Sequence, residues 1–237
     1  MARFLLIHGA AHGAWCWHKT IPALQALGHR AYAIDLPSNG DDTTPLCDVT
    51  LDSCARAVLD ALDEPSIVVG HSMGGYPITR AADLDPDKIE RLVYLCAYVP
   101  RPGLTLADMR KLSDEQPLIE AIQRNPDGLS MRFDPSKARE KFYHDCSDED
   151  LQYALERLCD QALAPQMTAF EPGDAVSRMP RSYITCEQDG AIPPQLQDEM
   201  ASALNPSDRY RLNSSHSPFF SMPEQLAQLL GKIAEKG

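Results

Sequence analysis

Gly70-His71-Ser72-Met73-Gly74 has the spacing G-x-S-x-G, and its setting gives that spacing a chemical meaning. The β-branched run Ile67-Val68-Val69 precedes it and a helix-compatible stretch follows, which is the strand–turn–helix setting a nucleophile elbow requires. Small residues at Gly70 and Gly74 permit a turn sharp enough to lift the Ser72 hydroxyl above a sheet edge, and the helix start adds a favourable dipole. A serine hydroxyl is a weak nucleophile and needs a base. Of the seven histidines, His8 and His12 flank the end of the first strand, His71 lies inside the motif, and His18 and His29 lie on or after the first helix. His144 falls in a later segment. His216, in the polar loop Asn213-Ser214-Ser215-His216-Ser217-Pro218, comes late enough in the chain for the order Ser…Asp…His at one sheet edge. The base needs an acid to hold its tautomer and stabilise the imidazolium. The acidic turn Cys186-Glu187-Gln188-Asp189-Gly190 offers Asp189, with Glu187 as the rival nearer the strand. An oxyanion would need two donors: the backbone N–H of Met73, and one from the small-residue loop His8-Gly9-Ala10-Ala11-His12-Gly13, where Ala10 is the candidate between Gly9 and Ala11. Such a set performs acyl transfer on a carbonyl and calls for neither metal nor organic cofactor.

The elements that must position these groups follow from periodicity. Phe4–Ile7 is an apolar run with the character of a strand buried on both faces. A helix is expected over about 17–27, stopped by Gly28, then a strand over Ala31–Leu36 and a Thr50-capped helix to about Leu62. Further strands are expected at Ile67–Val69, Arg91–Cys96, Tyr183–Thr185 and Tyr210–Leu212, with a last helix from about Pro223 that puts Leu226, Leu229, Leu230 and Ile233 on one face. Alternating strands and helices predict an α/β chain with a mostly parallel sheet covered by helices on both faces.

Between residues 101 and 178 the alternation stops. Prolines divide this stretch into short pieces with helical signals and no convincing strand; Ser147-Asp148-Glu149-Asp150 resembles a capping box, with Leu151, Leu155 and Leu158 following on one face. The expectation is therefore a sheet core over 1–100 and 179–237, with a helical cap over 101–178 covering the catalytic edge. The substrate pocket is expected to draw on Gly9, Ala11 and His71 from the core and on Met109, Met131, Phe133, Phe142, Tyr143, Leu155, Leu158 and Phe170 from the cap.

These residues resemble the α/β-hydrolase fold superfamily, and more narrowly the branch of plant methyl esterases, hydroxynitrile lyases and related bacterial esterases. The resemblance is carried by residues 6–17, by Gly70-His71-Ser72-Met73-Gly74-Gly75, by Asp189-Gly190-Ala191-Ile192-Pro193 and by Ser215-His216-Ser217-Pro218. It implies a catalytic triad with an oxyanion hole and a serine esterase acting on a small-molecule carboxylic ester. The lyases of that branch usually carry Lys after the catalytic histidine and Thr after the first-strand histidine, where this chain has Ser217 and Gly9. Both positions are esterase-like. Cyanohydrin cleavage and a small-ligand sensor on the same fold stay as alternatives, since a fold does not fix a function. Ser72 at the elbow excludes the dehalogenase and epoxide-hydrolase chemistry that uses Asp there.

Composition narrows the field further. The chain has 237 residues, 34 acidic against 22 basic, a net charge of −12 and 43% hydrophobic residues, enough apolar surface to fold and too much negative charge to favour nucleic acid. No apolar stretch approaches the roughly 18 residues that cross a bilayer, so no membrane association is expected. Seven scattered cysteines without a C-x-x-C pair suit a reducing cytoplasm and make a zinc site improbable. A homodimer is compatible with such a fold.

Overall fold

A computed structural model describes residues 1–236. In chain order the strands are β1 (Arg3–Ile7), β2 (Arg30–Ile34), β3 (Ser66–His71), β4 (Ile89–Leu95), β5 (Ile122–Arg124), β6 (Ser130–Phe133), β7 (Gln161–Ala162), β8 (Arg181–Cys186) and β9 (Arg209–Leu212). The helices are α1 (Thr20–Ala26), α2 (Leu51–Asp60), α3 (Gly75–Leu84), α4 (Leu106–Arg110), α5 (Pro135–Phe142), α6 (Asp148–Leu155), α7 (Ala164–Met167), α8 (Asp174–Arg178), α9 (Pro194–Ala201), α10 (Pro218–Ser221) and α11 (Pro223–Ala234).

Six strands make one parallel sheet in the order β2-β1-β3-β4-β8-β9. Every residue of β3 is buried, and β1, β4 and β8 are buried but for one residue each. That continuous burial is the packing that unbroken Ile, Val and Leu runs imply for strands covered on both faces. The edge strands β2 and β9 are more exposed. Helix α1 packs on α11, and α2 packs on α3. Register matters more for function. Ile7 pairs with Gly70, His71 with Leu95, and Cys186 with Leu212. The loops after β1, β3, β4, β8 and β9 therefore leave the sheet at the same edge, where α/β sheets place their sites.

The expected helix over 17–27 is split: a 3-10 turn at Ala14–Trp17 precedes α1, and Gly28 follows at φ +83°. Thr50 does cap α2, in a reciprocal capping box with Ser53. The cap departs from the expectation of a purely helical insertion. Alongside α4 to α8 it holds a small antiparallel sheet in the order β5-β6-β7. Ser147 caps α6 by accepting from the Asp150 N–H, but the buried face of that helix carries Asp150 and Ala154, while Leu151 and Leu155 are only half-buried. All seven cysteines are unpaired. No described helix is long and apolar enough to cross a membrane.

Candidate active site

Strand β3 delivers Ser72 directly off its end. Ser72 sits at φ +55°, a left-handed conformation that costs an ordinary residue free energy and that the surroundings hold in place. Its carbonyl accepts the Tyr98 N–H at 3.0 Å. The turn is so tight that a Cβ on Gly70 would lie 2.8 Å from the Gly74 carbonyl oxygen, and a Cβ on Gly74 would lie 2.8 Å from the His8 carbonyl oxygen. Both glycines of the motif are thus required by close backbone approach.

His216 lies in the loop between β9 and α10, and its Nδ1 is 2.7 Å from Asp189 Oδ2. The Asp189 side chain is fully buried and accepts from the N–H groups of Ala191 (2.7 Å) and Ile192 (2.9 Å) and from Gln197 Nε2 (2.9 Å). Four donors fix the carboxylate, and Nδ1–H donation to it leaves Nε2 as the acceptor nitrogen on His216. Glu187, the rival acid, is exposed and faces Arg211 at 3.4 Å. The structure brings Asp189 to His216 and leaves Glu187 outside.

The loop after β1 is held from several directions. Its Ala11 takes φ +60°, donates its N–H to Gln161 Oε1 at 2.9 Å and accepts from the Cys159 N–H at 3.0 Å. Asn39 also donates to Gln161, at 3.2 Å. His12 contacts the Ala10 carbonyl through Nδ1 at 2.8 Å, so Nδ1 carries the proton; Nε2 then accepts the Tyr143 hydroxyl at 2.6 Å. Burial drives the His12 pKa down to about 3, which keeps that arrangement neutral. His71 donates through Nε2 to the His216 carbonyl at 2.8 Å, and burial holds it well below the ordinary histidine range. The Ala10 N–H meets no protein acceptor among the described residues. Met73 begins the turn into α3, where helix-start N–H groups lack intrahelical partners.

Ser72 and His216 line one cavity with Ala10, Met73, His71 and His12 from the core and Phe133, Phe142, Arg110 and Leu118 from the cap. It is closed to about 10 Å³, room for roughly one water. Of the expected cap residues, Phe133 and Phe142 reach it. Met109, Met131 and Tyr143 do not; they are buried elsewhere in the cap, with Tyr143 spent on His12. Leu155 and Leu158 are half-buried on the flank of α6 and just beyond it, and Phe170 packs on Tyr76 and Arg80. From the core, Gly9 lies against His71 and Ser72, and Ala11 is engaged by Gln161 instead of facing the cavity. Sequence reasoning missed Arg110, Leu118, Tyr98, His12, Gln161 and Gln197. His12 had a signal, in the small-residue loop; the others gain their places only through long-range contacts.

His71, Cys96 and His216 put potential ligand atoms within 4.8 Å of one another. His71 and His216 are committed to hydrogen bonds, and burial pushes the Cys96 thiol far above its usual range, away from the thiolate a metal needs. The trio is a packed polar cluster.

Comparison with known proteins adds kinship to this geometry. Residues 4–229 match the sequence model described as the Alpha/beta hydrolase family. The chain is 32% identical over 260 residues to Methylesterase 1 of Arabidopsis thaliana, covering 98% of this chain and 96% of the relative. Among solved structures, a pyrethroid hydrolase from Sphingobium faniae JZ-2 superposes with a TM-score of 0.87 at 31% identity, over 99% of this chain and 97% of that one. A methylesterase from Arabidopsis superposes at 0.84 with 28% identity over the full length of both.

Proposed function

The chain belongs to the alpha/beta hydrolase family, and from that premise we propose that it hydrolyses a small carboxylic ester through an acyl-enzyme on Ser72, with His216 as base and Asp189 as its acid partner. The observation that carries this reading is the buried Asp189–His216 pair, 2.7 Å apart, opening onto the cavity that holds Ser72. Relatives named as methylesterases and a pyrethroid hydrolase support the choice of an ester.

In the proposed sequence, Ser72 Oγ attacks the ester carbonyl while its proton passes to His216 Nε2. Asp189 stabilises the resulting imidazolium. The oxyanion accepts from the N–H groups of Ala10 and Met73, each worth about 3–4 kcal/mol to such a transition state. The C–O bond breaks and the alcohol leaves with the proton from His216. Water, deprotonated by His216, then attacks the acyl-enzyme; the acyl bond to Ser72 Oγ breaks, His216 returns the proton to Oγ, and the acid departs. No metal or organic cofactor enters these steps. Ser217, fully buried after His216, is neutral, so a departing cyanide would meet no cation at that position; this favours ester cleavage over cyanohydrin cleavage.

The test is a panel of methyl esters, aryl acetates and thioesters of graded acyl size. Turnover is expected for at least one class, with Ser72→Ala lowering kcat at least about 10³-fold. A folded protein that turns over none of them would point instead to a ligand-binding role.

A further inference from the structure

An outer groove of about 280 Å³ adjoins the closed Ser72 cavity, and both are lined by Tyr98, Arg110 and Leu118. Those three residues form the boundary between them. At about 10 Å³ the closed cavity leaves little room for a whole substrate, and the groove past this boundary is the adjoining space. Arg110, the last residue of α4, is the charged member of the three.

Its bonding is incomplete. Nη2 donates to the Oε1 of Gln166, a neutral amide, while Nε is buried without any acceptor. A guanidinium offers five N–H donors, and a half-buried one with no carboxylate beside it is costly. Among the described residues no acidic side chain forms an ion pair with Arg110, whereas the neighbouring Lys111 is matched by Asp108 at 2.9 Å. Gln166 is itself buried with an unpartnered Nε2. A structural brace would satisfy these groups; here both atoms lack a protein partner, and the guanidinium itself lines both the closed cavity and the groove. The groove's charge agrees. With Lys111 matched by Asp108, Arg110 and Arg124 still outnumber Glu115 along its wall, in a chain of net charge −12. The guanidinium also lies beside the buried Tyr98 phenol, opposing the upward push that burial gives that hydroxyl.

We propose that Arg110 binds an anionic group of the substrate, and that the ester this chain cleaves carries a carboxylate of its own, as in a monoester of a dicarboxylic acid. This rests on the ester-hydrolase reading of Ser72. Arg110 makes a charge-assisted, fork-like contact with the carboxylate at the groove boundary and so holds the ester carbonyl over Ser72.

The experiment compares matched anionic and neutral esters. Monomethyl glutarate against methyl pentanoate, and monomethyl adipate against methyl hexanoate, place the carboxylate on the acyl half. 4-Acetoxybutanoate against butyl acetate places it on the alcohol half. At least one pair is expected to show a kcat/KM ratio of tenfold or more in favour of the anion, falling as salt rises. Arg110→Gln is expected to shrink that ratio at least tenfold, whatever change is common to both esters, and Arg110→Lys to keep part of it. Calorimetric titration of glutarate into Ser72→Ala, with and without Arg110→Gln, reads binding apart from chemistry. Turnover with every ratio at or below one, or a ratio unmoved in Arg110→Gln, overturns the anion site and leaves the ester reading standing. Arg110-dependent glutarate binding without turnover of any ester supports the site and removes the ester reading.

Discussion

Asp189 and Glu187 stand two residues apart on one acidic turn, and local sequence scarcely separates them. Their surroundings do. The Glu187 N–H donates to the Leu212 carbonyl at 2.9 Å, continuing the sheet, and its side chain is left in solvent near Arg211. Asp189 lies past the strand, where the turn swings its carboxylate under His216 and three further donors fix it. Asp189→Asn should keep the fold yet offer His216 Nδ1 an amide that fixes the wrong tautomer, lowering kcat by about 10⁴-fold with little change in KM. Glu187→Gln removes only an exposed ion pair, worth at most about 1 kcal/mol to stability, and should leave kcat within about twofold. Steady-state kinetics of the two variants decide the assignment. Equal damage from both, or wild-type kcat in Asp189→Asn, would remove Asp189 from its role.

At the level of elements, the sheet was legible and the cap largely was not, for one physical reason. Strands such as Phe4–Ile7 and Ile67–Val69 announce themselves because burial on both faces demands an unbroken apolar run. In the cap, β5, β6 and β7 have three, four and two residues, too short for any period, and they exist because distant partners pair with them. Arg110 and Gln161 escaped notice for the same reason: their chemistry comes from what folds against them. Ser72, His216 and the small-residue loop after β1 were legible because each lies at a strand end with a local turn signature. The missed strand β7 matters, since its Gln161 holds the Ala11 N–H and so helps fix the loop that presents Ala10. Gln161→Ala would leave that N–H buried without a partner, at a cost of about 1–3 kcal/mol in stability. With the donor displaced, kcat should fall roughly tenfold or more while KM moves little, because the contact to an oxyanion forms only in the transition state. Denaturant melts alongside kinetics check both halves. A variant that loses stability but keeps full kcat would show that the cap does not position the loop.

Taken as a whole, the molecule carries opposed acid responses, and their sum can be measured. Its charge of −12 falls toward zero as pH drops to the sequence pI near 4.9, which relieves self-repulsion and would stabilise the folded state. Against this stand His8, His12 and His71, each fully buried and each with its pKa lowered chiefly by desolvation, His12 to about 3. On His8 and His12 the unprotonated nitrogen accepts a hydrogen bond, from the Leu36 N–H and the Tyr143 hydroxyl, which a proton would break. Below the ordinary histidine pKa the unfolded chain takes up these protons and the folded chain does not, so stability must fall as pH falls. Between pH 8 and 5.5 a histidine that stays neutral in the folded chain removes about 1.4 kcal/mol; His12 and His71 qualify and His8 adds in the same direction, together a large part of the roughly 5–15 kcal/mol typical of a folded domain. The histidine effect should exceed the relief of surface repulsion, which is spread over exposed, salt-screened groups. Urea unfolding at the two pH values is therefore expected to show a lower unfolding free energy at pH 5.5 with an unchanged m-value. Equal or greater stability at pH 5.5 would mean that net charge governs the acid response and that the three buried histidines do not.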